Sequence, residues 1–230
     1  MVYNWPIISQ FFRLPFPCLL CGAPTSHPAG ACPPCLDELP RIPHPCPRCG
    51  EALGAPSALP CGHCLRRPPA FDALVAACAW APPVSGFVGG LKFREQLAAA
   101  RLFGHRLADM VADQPRPDVL IPVPLHARRL RRRGFNQAQE IARFVARRLH
   151  LPLAATHVRR VRPTPPQQNL DARTRRRNLR DAFALARPVP WRHVAIIDDV
   201  VTTGSTVGEI ARLLKSAGVS RVVVWTAARA

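Results

Sequence analysis

Apolar residues fall into short blocks along this chain, and each block keeps one of two periods. Val194–Ile197 reads Val-Ala-Ile-Ile, an apolar run suited to a strand buried on both faces. Val207, Ile210, Ala211, Leu213 and Leu214 then recur at helical spacing, so an amphipathic helix over Val207–Ala217 follows that strand almost at once. Ala73–Trp80 and Val119–Val123 read as two further strands, and Arg221–Thr226 as a last one. Helices are expected over Val84–Lys92, Glu95–Ala112 and Ala138–Leu149; Leu97, Leu102, Leu107 and Val111 form an apolar stripe in the second. Strands alternating with such helices predict an α/β fold, with a Rossmann-like parallel sheet flanked by helices.

The polar residues that interrupt this pattern carry the chemistry. Directly after Val194–Ile197 come Asp198 and Asp199, then Val-Val, then Thr202-Thr203-Gly204-Ser205-Thr206. In open α/β sheets ligands bind just past the strand ends. The Thr202–Thr206 run would wrap backbone N–H groups and hydroxyls around an anion at the N-terminus of the following helix. Gly204 supplies close backbone approach or a positive φ. Ionised Asp198 and Asp199 only accept hydrogen bonds, so they cannot bind the phosphate; they suit vicinal sugar hydroxyls, or a divalent cation carried by a pyrophosphate. An anion nest beside a diol reader describes a ribose 5-phosphate. An N-cap explains one Ser or Thr in such a turn but not the paired carboxylates. The segment lacks the Gly-Lys-[Ser/Thr] ending of a Walker A loop.

Eight of the nine cysteines form four Cys-x-x-Cys pairs: Cys18/Cys21, Cys32/Cys35, Cys46/Cys49 and Cys61/Cys64. Each pair sets two thiolates on one knuckle, and two knuckles complete a tetrahedral sulfur site. Two structural zinc ions are expected, with no open position for water. Sequential pairing fits the spacing, and a cross-braced pairing is also compatible with it. No βαβ pattern frames a pair as in a thioredoxin-like site. Cys78 sits in an apolar block and reads as a small buried hydrophobe. Residues 1–70 therefore form a small Cys-rich, zinc-ribbon-like module, and 71–230 the α/β domain.

Charge sharpens the picture of the second part. Lys and Arg total 32 against 14 Asp and Glu, a formal net charge of +18, and all the basic residues but Lys92 and Lys215 are arginine. The excess concentrates in residues 101–187, around the expected phosphate site. Such a field attracts nucleic acid or phosphorylated small molecules, and arginine suits bidentate phosphate contact. Val119–Val123 runs into Pro124, Leu125 and His126, a stiff loop, and then Arg128, Arg129, Arg131, Arg132 and Arg133, either a polyanion contact or a basic exposed turn. Thr164–Asn178, with Arg173, Arg175, Arg176 and Arg177, has the composition of a mobile lid or a connector. No apolar run approaches the ~20 residues of a membrane span. Met1–Pro17 lacks the basic start of a secretory signal and is broken by three prolines, so a cytoplasmic protein is expected, which disfavours disulfides.

Ile196–Thr206 resembles the PRPP-binding motif of type I phosphoribosyltransferases. The whole series (Cys-x-x-Cys knuckles, Pro122-Val-Pro-Leu-His126, Arg-Arg-Gly134-Phe-Asn-Gln137, then Arg-x-x-Asn178-Leu-Arg-x-Ala-Phe183 and the Asp-Asp segment) resembles the ComF family, nearest its GntX branch. The resemblance runs from Cys18 nearly to the last residue. It implies a zinc-binding module on a type I phosphoribosyltransferase fold. By the same resemblance, Asp198 and Asp199 contact the ribose hydroxyls, Thr202–Thr206 hold the 5-phosphate, and Val123–His126 face the pyrophosphate, which arrives with Mg2+. Many members carry a second glycine where this chain has Ser205. The family implies cytoplasmic handling of imported single-stranded DNA in competence or DNA utilisation, alongside DNA-uptake, helicase or recombination proteins. Two other functions fit the residues: a phosphoribosyltransferase acting on a small base or amine, and a non-catalytic PRPP-sensing regulator. No C-terminal hood for a nucleobase follows the last strand, so acceptor recognition would come from elsewhere, such as the N-terminal module.

Overall fold

The computed structural model describes residues 15–93, 96–162 and 181–230. Four parallel strands form the central sheet: β3 (Ala73–Ala79), β4 (Val119–Pro122), β7 (His193–Val201) and β8 (Arg221–Arg229), in the order β3-β8-β7-β4. β7 and β8 lie at its centre and read as continuous apolar runs because both of their faces are covered. Alternate residues go to opposite faces. Ala195, Ile197, Val223 and Trp225 join one core; Val194, Ile196, Val222 and Val224 join the other. Beyond β4, Leu153 adds a short parallel bridge to Leu120.

The first core lies under α3 (Val84–Phe93), α4 (Leu97–Met110) and α6 (Gln137–Leu149). At Gly104 a Cβ would lie 2.4 Å from the Phe144 Cβ, so only glycine lets α4 and α6 approach this closely. The second core lies under α7 (Ser205–Ser216) and the antiparallel hairpin of β5 (Val158–Arg160) and β6 (Phe183–Leu185). α6 follows β4 on one face and α7 follows β7 on the other. The chain thus leaves these two neighbouring strands in opposite directions, which opens a crevice at their C-terminal ends.

Several elements differ in extent from the sequence reading. β7 does not stop at Ile197 but continues through both aspartates to Val201, and β8 runs on to Arg229. The arginine run after β4, expected as a polyanion contact or a basic exposed turn, forms a helix, α5 (Ala127–Arg133). Its ends are set by the His126 side chain, which accepts from the Arg128 N–H, and by Gly134 at φ +80°. Thr164–Asn178, with Arg173, Arg175, Arg176 and Arg177, lies outside the described residues, as does most of Met1–Pro17.

The cysteine segment builds two similar units. β1 (Phe16–Pro17) pairs with β2 (Pro24–Thr25) around the first knuckle, and the short helix α1 (Pro33–Asp37) brings Cys35. Pro45 bridges Ala52 around the third pair, and α2 (Gly62–Arg66) brings Cys64. The first unit docks on α4, where the Arg101 Nε donates to the Pro28 carbonyl at 2.6 Å and the Arg106 Nη1 to the Leu36 carbonyl at 2.9 Å. The second docks beside β3 and β8. Gly50 there sits so close to Leu74 that a Cβ would lie 2.5 Å from its Cδ2.

Candidate functional site

β7 carries Asp198 and Asp199 on the sheet itself rather than in the loop beyond it. Asp198 is opposite Thr226 of β8 and is only 8% exposed. Each carboxylate Oδ1 accepts the N–H of the next residue: Asp199 N to Asp198 at 2.9 Å, and Val200 N to Asp199 at 2.9 Å. One oxygen of each is thereby oriented by backbone. The loop after β4 is tied to the same place, because the Val123 N–H donates to the Ile197 carbonyl at 2.8 Å. Asn136 fixes it from behind. Its Nδ2 donates to the Val123 carbonyl at 3.0 Å while its Oδ1 caps α6 by accepting the Ala138 N–H. Val123 and Pro124 are buried; Leu125 and His126 are half-buried at the start of α5.

The arginines divide by helical geometry. Arg129 and Arg133, one turn apart on α5, are half-buried, whereas Arg128, Arg131 and Arg132 are exposed. Burial pushes the Arg133 guanidinium below its usual value, with Arg129 and Arg132 repelling it and Asp199 pulling the other way. Arg160 behaves alike: burial and the Arg129 charge lower it, while Asp198 opposes them. Two carboxylates and three guanidiniums thus share one electrostatic neighbourhood. The sequence reading brought forward Arg129 and Arg133 but missed Arg160. A lone arginine in a short hairpin strand carries no local signal; only the fold brings it to the aspartates.

Beyond Val201 the chain makes a tight loop into α7. Gly204 takes φ +71°, the left-handed conformation that glycine adopts without cost, as the residue before the helix. Ser205 is the first helical residue, so the serine in place of a second glycine sits where no left-handed φ is needed. The Thr203 Oγ1 lies 2.8 Å from the Ser205 Oγ. The first-turn N–H groups of α7 and the positive end of its dipole face the loop. A cavity of about 560 Å³ opens against Thr202–Ser205 and Gly208. Its other wall is Cys49, Cys61, His63, Cys64 and Arg67 of the second cysteine unit. Asp198 and Asp199 do not line it.

The eight paired cysteines gather as Cys18, Cys21, Cys32, Cys35 and as Cys46, Cys49, Cys61, Cys64, in the sequential pairing. Within each set every sulfur lies within 4.8 Å of the others, and Cys21 to Cys32 and Cys49 to Cys61 are 3.7 Å apart. A zinc ion bound at ~2.3 Å to four sulfurs requires edges of about 3.8 Å, whereas a disulfide requires about 2.05 Å. Both sets fit a tetrahedral ion, and all nine cysteines are free. The backbone also favours thiolate: Cys32 N–H donates to the Cys18 Sγ and Cys61 N–H to the Cys46 Sγ. Burial raises both thiols, but the backbone donors outweigh it and hold Cys18 at about 6 and Cys46 at about 7. In the same sets, sulfur neighbours and burial push Cys35 up, and burial and sulfur neighbours push Cys49 and Cys64 up. Cys78 has no such donors; burial pushes its thiol up to about 11.

Among the described residues no helix is long and apolar enough to cross a membrane. A model of the phosphoribosyl transferase domain matches residues 136–230, which include β7, its loop and α7. The DNA utilization protein YhgH of Escherichia coli K12 is 44% identical over 179 residues, spanning 75% of this chain and 79% of that protein. YhgH of Salmonella typhi is 45% identical over 182 residues, spanning 76% and 80%. Competence protein F of Haemophilus influenzae is 40% identical over 179 residues, spanning 74% and 78%. Likeness of this depth over most of each relative, on a parallel sheet with paired cysteine clusters, makes this chain a member of the ComF/GntX family of phosphoribosyltransferase-fold proteins.

Proposed function

We propose that the crevice at the ends of β4 and β7 binds PRPP or a related phosphorylated ribose, in a protein that handles imported single-stranded DNA in the cytoplasm. Residues 1–70 serve as its zinc-binding module and 71–230 as its ligand-binding body. The observation that carries this reading is the placement of the Asp198 and Asp199 carboxylates on β7, beside an anion-accepting loop at the start of α7. Asp198 and Asp199 take the ribose 2- and 3-hydroxyls. The loop Thr202–Thr206 takes the 5-phosphate with N–H and hydroxyl donors. Val123–His126 and the half-buried Arg129, Arg133 and Arg160 face the pyrophosphate.

If transfer occurs, the bond from the anomeric carbon to pyrophosphate breaks and a bond to the acceptor forms, while pyrophosphate leaves with its charge. Mg2+ bound to the pyrophosphate would share that charge. The arginines stabilise the departing anion, and the aspartates steady the cationic ribose through its hydroxyls. The DNA role rests on the names of the relatives and on the arginine excess, which suits a polyanion.

The test is calorimetric titration of zinc-loaded protein with Mg-PRPP. Asp198→Asn with Asp199→Asn keeps shape and removes charge, and should weaken binding at least tenfold while zinc stays at two per chain. Unchanged affinity overturns the ribose assignment. Single-stranded DNA affinity should fall with salt by a slope of about 0.7 per phosphate contacted; a flat response overturns the polyanion part.

A further inference from the structure

The two cysteine clusters differ in what they touch. The first abuts α4 and the apolar core and lines no part of the cavity beside the phosphate loop. The second forms a wall of that cavity, facing Thr202–Ser205 across it. It is also bolted to the sheet where β7 ends. The Arg229 Nε donates to the Cys49 carbonyl at 3.1 Å, its Nη1 to the Val201 carbonyl at 3.4 Å, and its Nη2 pairs with Glu51. One guanidinium thus joins a metal-ligand residue to the last residue of β7, directly ahead of the loop.

Arg67, Arg212 and Arg229 line the cavity together with one acidic side chain, Glu51, and the cysteines of the second cluster. Arg212 is paired to Glu209 and Arg229 to Glu51, but Arg67 pairs with no carboxylate among the described residues. Arg67 also closes α2: its N–H donates to the His63 carbonyl at 2.8 Å, one turn after Cys64. Its position therefore depends on the knuckle that Cys61 and Cys64 shape.

From this we propose that the second cysteine cluster is part of the ligand site, with Arg67 closing the phosphate compartment opposite Thr202–Ser205, so that zinc at Cys46, Cys49, Cys61 and Cys64 and a phosphorylated ligand on the loop bind cooperatively. Zinc at the first cluster stands outside this coupling. The inference rests on the ribose-phosphate reading above and adds the cysteine unit's wall to it. Coupling is reciprocal: if the metal holds Arg67 in place for phosphate, bound phosphate holds the metal by the same factor.

The full-length, zinc-loaded protein is mixed with a chromophoric chelator, with and without saturating ribose 5-phosphate or PRPP, and the release of its two zinc ions is followed. The ligand should slow one ion at least fivefold and leave the other unchanged. Arg67→Ala, at an exposed position, should keep two zinc ions and lose about tenfold in ribose 5-phosphate affinity. If wild-type protein binds the ligand but Arg67→Ala binds it equally well, or if both ions are released at ligand-independent rates or are slowed equally, the coupling is overturned and the ribose reading survives. If wild-type protein binds neither sugar phosphate, the ribose reading fails and this inference with it.

Discussion

Gly22 and Gly50 hold the same position in two similar knuckles, directly after the second cysteine of a pair, and both are left-handed at φ +77° and +69°. Their surroundings differ. A Cβ at Gly22 would have nothing within 4 Å, whereas one at Gly50 would lie 2.5 Å from the Leu74 Cδ2 and 3.6 Å from the Leu74 carbonyl. Alanine at either position meets the left-handed penalty of ~1–2 kcal/mol, partly offset by a less flexible unfolded chain. Gly22→Ala should therefore cost about 1 kcal/mol. Gly50→Ala must also push Leu74, a core residue only 5% exposed, out of its place. Overpacking of that kind adds about 1–3 kcal/mol. Thermal unfolding at a clamped free-zinc level measures the difference, at ~2–4 °C per kcal/mol for a chain of this size. Equal shifts for the two variants would mean that the second knuckle is not seated against β3, and the cavity wall would lose its support.

Two further outcomes follow from single contacts. Asn136→Ala removes the α6 cap and leaves the buried Val123 carbonyl without its donor, so it should cost about 2–3 kcal/mol in denaturant unfolding and weaken Mg-PRPP binding; a cost under ~0.5 kcal/mol would show that Asn136 does not fix the β4 loop. Burial holds His105, His157 and His193 below their usual value, so the fold takes up their protons less readily than the unfolded chain, which does so near pH 6.5. Their stability contribution is complete above that pH and is lost as pH falls through the folded values. Asp72 and Asp118, held low by hydrogen bonds, add a second loss only below about pH 4. A melting temperature flat from pH 7.5 to 5 would contradict the histidine assignment.

The elements legible in the sequence were those whose apolar period was intact. β4, α3, α4, α6 and α7 fall within a few residues of their expected bounds because each buries a regular stripe or run. α5 was not legible: Ala127–Arg133 has one large apolar residue, Leu130, and buries none of its residues. It exists because His126 and Gly134 cap it, and caps without a stripe are a weak signal. The end of β7 was misjudged for a related reason. Carboxylates ended the hydrophobic run, but strand pairing depends on backbone groups, and Asp198, Val200 and Val201 stay in register with Thr226, Ala228 and Arg229. The cysteine sets were legible in spacing, while their unequal surroundings were not, since those depend on Arg101, Arg106 and Arg229, distant in sequence.

That extension of β7 changes the chemistry of the site. Aspartates in a loop could turn toward any cation; aspartates on a central strand are aimed by the sheet, with one oxygen of each already engaged by backbone N–H. Carboxylates held in a fixed orientation suit a ligand of fixed shape, as a ring diol is. The arginines supply the complementary constraint. Arg129, Arg133 and Arg160 are gathered near two carboxylates and repel one another, and burial makes their charge costly. A di-anion entering beside the Val123–His126 loop would relieve the repulsion, whereas a neutral ligand would not. The site should then discriminate by charge before shape: PRPP should outbind ribose 5-phosphate, with inorganic pyrophosphate competing for the difference. Equal affinities for the two sugars would remove the arginine cluster from the binding argument and leave the aspartates and the loop to carry it alone.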